Sequence, residues 1–210
     1  MLNSTPQSEV GGPTWEIAHW FPAQGHWSEQ DYLELTERSN RLVELTDGQL
    51  EVLAMPSMEH QLLMLYLVEC LRTYLRSHPV GVALVAPFPT RVRAEKYREP
   101  DVVFKFTQNL PPAGQEFFQG ADLVMEIVSN DAKSQKRDYE TKVSDYSEAR
   151  IPEYWIVDPK ARKFTIYILQ GDRYVEHSVA TPGDTATSSI LKGFEVVVDD
   201  AFAAAQRPEA

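Results

Sequence analysis

The chain is poor in cysteine, in long apolar runs and in anything that resembles a targeting segment. Its single cysteine, Cys70, excludes an intramolecular disulfide and favours a reducing compartment. Residues 62–71 form the longest apolar candidate, but Glu69 interrupts them and they fall short of the ~18 residues that span a bilayer. Residues 1–16 lack the basic and apolar regions of a secretion signal. We therefore expect a cytoplasmic protein that has no membrane as a partner.

Basic charge is also scarce. The chain has 31 acidic and 20 basic residues, a formal net charge of −11 and a pI near 4.9. Proteins that bind nucleic acids usually present a basic surface, so the bulk charge argues against that class. A local basic patch with bridging cations still allows DNA binding. The charge therefore weakens the nucleic-acid interpretation without excluding it.

The length and the hydrophobic content predict a single domain. With 210 residues, 43% of them hydrophobic, the chain is long enough for one good core and too short for two comfortable ones. Residues 1–13 are small, polar and contain Gly and Pro, a composition typical of disorder. We expect a disordered segment at 1–13 and one domain over 14–210.

Cap and turn residues mark the first elements of this domain. Ser28, with an acidic residue three positions later, predicts the start of a short helix. The pair Asp47 and Gly48 between two apolar runs predicts a hairpin, because Gly tolerates the positive φ of a tight turn. Ser57 predicts the start of a long helix with a wide apolar face, which ends before Pro79.

Strand-like runs alternate with helices over the rest of the chain. The predicted strands are at residues 82–85, 90–93, 101–106, 122–128, 154–157 and 194–198. The other expected elements are a loop, two helices and a second hairpin, at 109–120, 131–149 after a cap cluster at 129–131, 200–205, and around Gly171–Asp172. This order predicts a mixed α/β (α+β) fold, with a restriction-endonuclease-like central mixed β-sheet flanked by helices and additional N- and C-terminal β-hairpins.

Two carboxylates stand in or beside apolar strand runs. Glu126 lies among apolar neighbours in the run 122–128, and Asp101 follows Pro100 directly before another run. Burying an ionised carboxylate without a partner is costly, so such groups are usually paired, protonated or bound to a metal. If the two strands pair, Asp101 and Glu126 converge on one divalent cation, since such cations prefer oxygen ligands. Lys142, on the following helix, would then activate a water or stabilise charge on a phosphate.

Several short motifs occur in one order along the chain. They are Glu44-Leu-Thr-Asp47-Gly48, Met55-Pro56-Ser57 with His60, Pro100-Asp101, Glu126-Ile-Val-Ser129, Lys142, Tyr146, Glu153-Tyr154-Trp155-Ile156-Val157-Asp158 and Leu191-Lys-Gly193-Phe194. The ordered set resembles the Uma-type putative restriction endonuclease family of the PD-(D/E)XK nuclease superfamily, over about residues 28–205. The resemblance implies a fold for metal-dependent DNA cleavage, with Asp101 and Glu126 on adjacent strands as the metal ligands.

The resemblance also implies roles for two further residues. The superfamily lysine expected two residues after the glutamate is replaced here by Val128, and the matching lysine of this family is Lys142 on the next helix. Glu44 matches a family glutamate that reaches the same cleft. The implied catalytic set is Asp101, Glu126, Lys142 and Glu44, with Mg²⁺, or Mn²⁺ in its place, as the cofactor.

Each of these residues also has a structural interpretation. Asp101 could simply begin a strand, Lys142 could pair with a carboxylate one turn away, and Glu44 could point outward from a hairpin. His60 is either a hydrogen-bonded structural histidine or a site residue. The basic cluster within residues 133–137 is either a phosphate contact or a solvated helix face.

Three functions stay open at this point. The first is a Mg²⁺- or Mn²⁺-dependent endodeoxyribonuclease that hydrolyses DNA with an activated water. The second is a catalytically inactive protein of the same fold that binds nucleic acid or protein, which the acidic pI and Val128 favour. The third is a hydrolase of another phosphoester, which the carboxylates alone do not exclude. Because double-strand cleavage needs two sites, we also expect a homodimer.

Overall fold

Two mixed sheets flanked by helices make up the fold. The computed structural model describes residues 21–39, 41–129 and 136–206, so the expected disordered segment at 1–13 lies outside the described residues. The expected mixed α/β architecture is confirmed. The expected N-terminal hairpin belongs to a second large sheet, which the sequence did not predict.

The larger sheet has six strands. Its central pair is parallel and its other neighbouring strands are antiparallel. In spatial order the strands are β11 (Arg173–Ala180), β10 (Lys163–Gln170), β9 (Glu153–Asp158), β8 (Leu123–Ile127), β6 (Val102–Phe106) and β3 (Gly81–Val85).

The second sheet has five short strands and contains the first hairpin. In spatial order they are β2 (Gln49–Val52), β1 (Val43–Thr46), β5 (Lys96–Arg98), β4 (Thr90–Arg93) and β7 (Phe118–Gln119). A separate two-stranded ladder near the C-terminus pairs β12 (Thr185–Thr187) with β13 (Glu195–Val197).

The described residues include four α-helices that pack on these sheets. They are α1 (Glu29–Arg38), α2 (Met58–Ser77), α3 (Lys142–Glu148) and α4 (Val198–Ala204). A π-helical turn, Arg137–Thr141, runs directly into α3. Of the cap cluster expected at residues 129–131, residues 130 and 131 lie outside the described residues. In the described ranges no helix combines the length and the apolar character needed to cross a membrane.

The local signals near the N-terminus predict the structure well. Ser28 caps α1, and its side chain and that of Asp31 exchange hydrogen bonds with each other's backbone N–H groups in a capping box. Asp47 and Gly48 both have positive φ, 48° and 77°, as a tight hairpin turn requires. Ser57 caps α2 through its hydroxyl. Each of these features depends on residues within a few positions of one another.

Three short strands escape prediction from sequence. β7 lies inside the segment expected to be loop, and β5 and β12 have three residues each. β5 is buried although two of its three residues, Lys96 and Arg98, are charged. A charged run does not resemble a buried strand, and its partners are distant in the sequence. Its burial depends on ion pairs that only the folded chain forms.

The six-stranded sheet is covered on both faces. Leu63, Leu67 and Leu71 of α2 pack with Met125 and other residues on one face. On the opposite face, a second apolar cluster combines strand residues such as Val103 and Val124 with Tyr146 of α3. The alternation of side chains along β6 and β8 therefore decides which residues meet α2 and which meet α3.

Candidate active site

Two neighbouring strands bring Asp101 and Glu126 to the same place. β6 and β8 run antiparallel with Val102 opposite Met125, so Asp101 and Glu126 form the next pair outward in this register. By the alternation of side chains, Glu126 projects to the face on which α3 packs, where Lys142 and Tyr146 contact it. Asp101 and Glu126 also line one small cleft at this end of the sheet.

Asp101 is held by the chain from two sides. Its Oδ2 atom accepts a hydrogen bond of 2.7 Å from the backbone N–H of Ile127 and lies 3.1 Å from Nε2 of His60. Burial alone would raise the pKa of Asp101, but the hydrogen bond and charge of His60 outweigh it and lower the pKa below its usual value. Asp101 is therefore an anion, and His60 contributes to the site by holding it.

Glu126 is almost completely buried, with 2% of its surface exposed. Its Oε1 atom accepts a short hydrogen bond from the hydroxyl of Tyr146, and Oε2 lies 2.8 Å from Nζ of Lys142. Burial raises the pKa of Glu126 to about 8, Lys142 opposes this shift, and the charge of Asp101 adds to it. Lys142 is thus the main group that favours the anionic form of Glu126.

Lys142 points from the helix back toward the strand ends. Its Nζ atom lies 2.8 Å from Glu126, 3.5 Å from Asp138 and 3.9 Å from Glu44. Burial alone would lower the pKa of Lys142, but the surrounding carboxylates, Glu126 first, raise it above its ordinary value. Lys142 is therefore a buried cation that three carboxylates surround.

Glu44 is buried beside Lys142 but is not among the described residues that line the cleft. Its other contacts are the backbone N–H of Glu99 at 3.4 Å and Nη1 of Arg98 at 3.5 Å. The structure thus places Glu44 among the site charges without exposing it to the cleft. Its contacts suit a residue that positions Lys142.

A group of residues that sequence reasoning missed fixes α3 against the second sheet. Asp145 of α3 accepts a hydrogen bond of 2.6 Å from Nζ of Lys96 and one of 2.8 Å from Nε of Arg98, and both donors are on β5. Asp145 follows Lys142 by three residues, so both side chains lie on the same side of the helix. The alternation of Lys96 and Arg98 is the only sequence signal for this clamp, and it does not identify Asp145 as the partner.

The cleft itself is small, about 50 Å³. Six buried side-chain polar atoms of the described residues lack a hydrogen-bond partner, and four of them belong to residues that line this cleft. These four atoms are His60 Nδ1, Glu99 Oε1, Arg137 Nε and Asp138 Oδ1. Buried polar atoms are normally paired, so their concentration here indicates a site built for a ligand.

The donor set of the cleft suits a hard divalent cation. Asp101 and Glu126 supply carboxylate oxygens, and Asp138 beside them has one oxygen, Oδ1, that makes no hydrogen bond. Within the described ranges no group of three or more His, Cys, Asp or Glu side chains has the geometry to hold a metal by itself. Mg²⁺ commonly binds through only one or two carboxylates and completes its shell with waters and substrate phosphate. The residues present therefore fit this mode and not an all-protein metal cage.

Comparison with known proteins agrees with the class that the sheet and the paired carboxylates define, a nuclease-like α/β protein. The family model Uma2, described as putative restriction endonuclease, matches residues 29–201, and the chain belongs to this family. The resemblance found in the sequence motifs is thereby confirmed, and the family supports a nuclease as the general function.

A solved structure shows the same fold. It is the crystal structure of a putative nuclease belonging to DUF820 from Anabaena variabilis, with a TM-score of 0.71 and 15% sequence identity. The similarity covers 86% of this chain and 99% of that chain. At this level of identity the likeness concerns the fold alone. No match was found among curated proteins.

Proposed function

We propose that this protein is a metal-dependent endodeoxyribonuclease that hydrolyses phosphodiester bonds of DNA at the cleft between β6, β8 and α3. The contact between Lys142 and Glu126 carries the proposal. The strand position at which the superfamily has a lysine is occupied here by Val128. The buried Lys142 of the next helix, whose Nζ atom lies 2.8 Å from Glu126, supplies the positive charge in its place. The loss of the usual strand lysine therefore does not remove a cation from the site.

Asp101 and Glu126 are the residues that would hold a Mg²⁺ or Mn²⁺ ion. A cation bound there supplies Lewis-acid polarisation of the scissile phosphate and of an attacking water. His60 and the backbone N–H of Ile127 fix the carboxylate of Asp101, and Tyr146 fixes that of Glu126. The two ligands are thereby held in place before substrate arrives, which lowers the cost of reaching the reactive geometry.

Lys142 has two roles in this proposal. It favours the anionic form of Glu126, because its charge opposes the rise in the pKa of Glu126 that burial, Asp101 and Asp138 cause. It also lines the cleft, where its charge stabilises the negative charge that develops on the phosphate during attack by water. Glu44 lies 3.9 Å from the ammonium group of Lys142 and acts as a positioning residue for it.

A plasmid cleavage assay tests the proposal. Purified protein is incubated with supercoiled DNA and Mg²⁺, alongside Asp101→Ala and Glu126→Ala. Glu176→Ala, an exposed carboxylate on β11, serves as the matched control. We expect cleavage by the wild type and the control and none by the two site variants. Cleavage that persists unchanged in both site variants would falsify the proposal. Parallel reactions with RNA and with small phosphoesters define the substrate class.

One observation favours a second candidate, a protein of this fold that binds without cleaving. Both carboxylate oxygens of Glu126 already have partners within the chain, Tyr146 and Lys142. A cation that binds Glu126 must share it with one of them. Titration calorimetry with Mg²⁺ distinguishes the two candidates: binding that depends on Asp101 and Glu126 supports the nuclease, and no binding together with no cleavage supports the second candidate.

We propose that the active form is a homodimer, because two sites are needed to cut both strands of a duplex. Among the described residues, β11 is an outer strand of the six-stranded sheet, and the outer strand of a sheet can pair with a strand of another chain. Sedimentation velocity at assay concentrations measures the state directly. A monomer that still makes double-strand breaks contradicts this part of the proposal.

A further inference from the structure

Three cationic or basic side chains line the cleft: His60, Arg137 and Lys142. Lys142 has only 3% of its side chain exposed and is surrounded by carboxylates. His60 turns Nε2 toward Asp101. Two of the three groups are therefore already engaged by the metal-ligand carboxylates, and Arg137 is the one whose role is not explained by them.

The side chain of Arg137 is only partly buried. About 20% of its side chain is exposed, yet its Nε atom is buried and has no hydrogen-bond partner. The carboxylate of the adjacent Asp138 lies 3.6 Å from Nε, beyond hydrogen-bond distance. A guanidinium group has only donors, and a buried donor without an acceptor destabilises the fold. Arg137 thus lines the cleft with one buried donor, Nε, that has no hydrogen-bond acceptor among the described residues.

The backbone explains why Arg137 faces the cleft. In an α-helix of 3.6 residues per turn, side chains five positions apart point about 140° away from each other. The turn Arg137–Thr141 is instead π-helical, and the backbone N–H of Lys142 bonds to the carbonyl of Arg137. This wider turn stacks Lys142 over Arg137 and lets both line the same cleft. Such π-helical turns occur frequently at functional sites.

We propose that Arg137 binds the scissile phosphodiester, donating N–H hydrogen bonds from its guanidinium group to non-bridging phosphate oxygens. The planar fork of an arginine matches two oxygens of one phosphate, a geometry that a lysine does not offer. Asp101 and Glu126 line the same cleft, so a phosphate bound by Arg137 lies beside the carboxylates of the proposed metal site. This inference rests on the proposed function, and it adds the residue that positions the substrate.

The chain offers a matched control in the preceding residue. Lys136 carries the same charge as Arg137 on the same segment, but it is exposed and does not line the cleft. If bulk positive charge on this helix face attracted DNA, Lys136→Gln and Arg137→Gln would have equal effects. If Arg137 makes a specific contact, only its replacement changes the chemistry at the cleft.

Two measurements test the proposal, and the first needs no cleavage. The affinity of a short fluorescein-labelled DNA duplex is measured in EDTA by anisotropy over a range of salt concentrations. Loss of one phosphate contact lowers the slope of log K against log [salt] by about 1. We expect this change in Arg137→Gln and a wild-type slope in Lys136→Gln. An unchanged slope in Arg137→Gln overturns the proposal.

The second measurement is the cleavage rate with Mg²⁺. We expect kcat/KM to fall about 100-fold in Arg137→Gln and to stay within about threefold in Lys136→Gln. Arg137→Lys keeps the charge but loses the fork, so its salt slope should match the wild type while its cleavage is slow. If thermal melting shows that Arg137→Gln is unfolded, Arg137→Lys decides the test, and cleavage by it at the wild-type rate overturns the proposal.

The outcomes separate this proposal from the proposed function. If the wild type cleaves no DNA but its salt slope depends on Arg137, the nuclease proposal fails and the phosphate contact stands. If Glu126→Ala abolishes cleavage while Arg137→Gln changes neither slope nor rate, the nuclease proposal stands and the phosphate contact is wrong.

Discussion

Glu126 and Glu153 are two buried glutamates on neighbouring parallel strands, β8 and β9, and they differ in how the chain satisfies them. Both are almost fully buried, at 2% and 0% exposure. Neutral donors surround Glu153. It accepts a hydrogen bond of 2.6 Å from Nε1 of Trp155. It also accepts hydrogen bonds from the backbone N–H and hydroxyl of Ser189, at 2.7 Å and 2.9 Å, and from the backbone N–H of Ile190, at 3.2 Å. The ammonium group of Lys142 and the hydroxyl of Tyr146 contact Glu126, and other carboxylates lie nearby.

The difference shows which buried carboxylates mark a functional site. Glu153 fixes the C-terminal segment to the sheet through Oε2 and accepts from Trp155 of its own strand through Oε1, so both of its oxygens have neutral donors. Glu126 stands beside Asp138, whose Oδ1 atom has no hydrogen-bond partner, and beside an open cleft. Burial of a carboxylate in an apolar strand is common to both. Unpaired polar neighbours and a shared cation distinguish the site from the structural anchor.

The largest expected effect separates the two glutamates by activity. Glu126→Gln keeps the shape of the side chain but removes the charge, so we expect the cleavage rate to fall about 10³-fold. Glu153→Gln is the matched change on the neighbouring strand and should leave the rate of the folded protein within about threefold. Equal loss of cleavage in both variants would mean that the contrast between the two glutamates is not functional.

The next effect concerns the charges that support the site. Arg98→Ala leaves Asp145 and Glu44 without their buried guanidinium partner, so we expect a loss of about 3–5 kcal/mol in the free energy of unfolding. The matched control is Arg93→Ala on the next strand, whose partly exposed pairs with Asp47 and with Glu148 of α3 contribute about 0–1 kcal/mol each. Urea denaturation measures both values. Similar losses in the two variants contradict a buried network under α3.

Removal of the structural anchor should cost somewhat less. Glu153→Ala leaves the indole N–H of Trp155 and the donors of Ser189 and Ile190 without an acceptor, and we expect a loss of about 2–3 kcal/mol in unfolding free energy. The cleavage rate of the remaining folded protein should stay close to that of the wild type. A specific loss of activity without a loss of stability would instead place Glu153 in the site.

The smallest effect is the stabilisation by metal. Mg²⁺ at a few times its dissociation constant should raise the unfolding free energy of the wild type by about 1 kcal/mol, because it binds only the folded state. Glu126→Gln should lose this shift and Glu153→Gln should retain it. Thermal melting with and without Mg²⁺ detects the difference. An equal change in thermal stability on adding Mg²⁺ in both variants would mean that the cation binds away from Glu126.

The same comparison explains how much of the structure the sequence predicts. The capping box at Ser28, the turn at Asp47 and the long helix after Ser57 are local features, and all are correct. Glu126 draws attention because a charge interrupts an apolar strand. The role of Glu153 is not predictable in this way, because its partners Ser189 and Ile190 are 36 and 37 residues away.

Features that depend on distant contacts escape prediction. The short strand β5 is charged, and its burial depends on Asp145, 47 residues from Arg98. β5 pairs with both β1 and β4, so it joins the first hairpin to the rest of the second sheet. The sequence also does not show that Arg137 faces the cleft, because that depends on a π-helical turn and not on the usual helical spacing.

The most direct test of the proposed site is a crystal structure of the protein soaked in Mn²⁺, a cation that is located by its anomalous scattering. We predict one cation bound by the carboxylates of both Asp101 and Glu126, with Lys142 next to it and none at Glu153. A cation bound elsewhere, or none at a Mn²⁺ concentration that supports cleavage, would contradict the account.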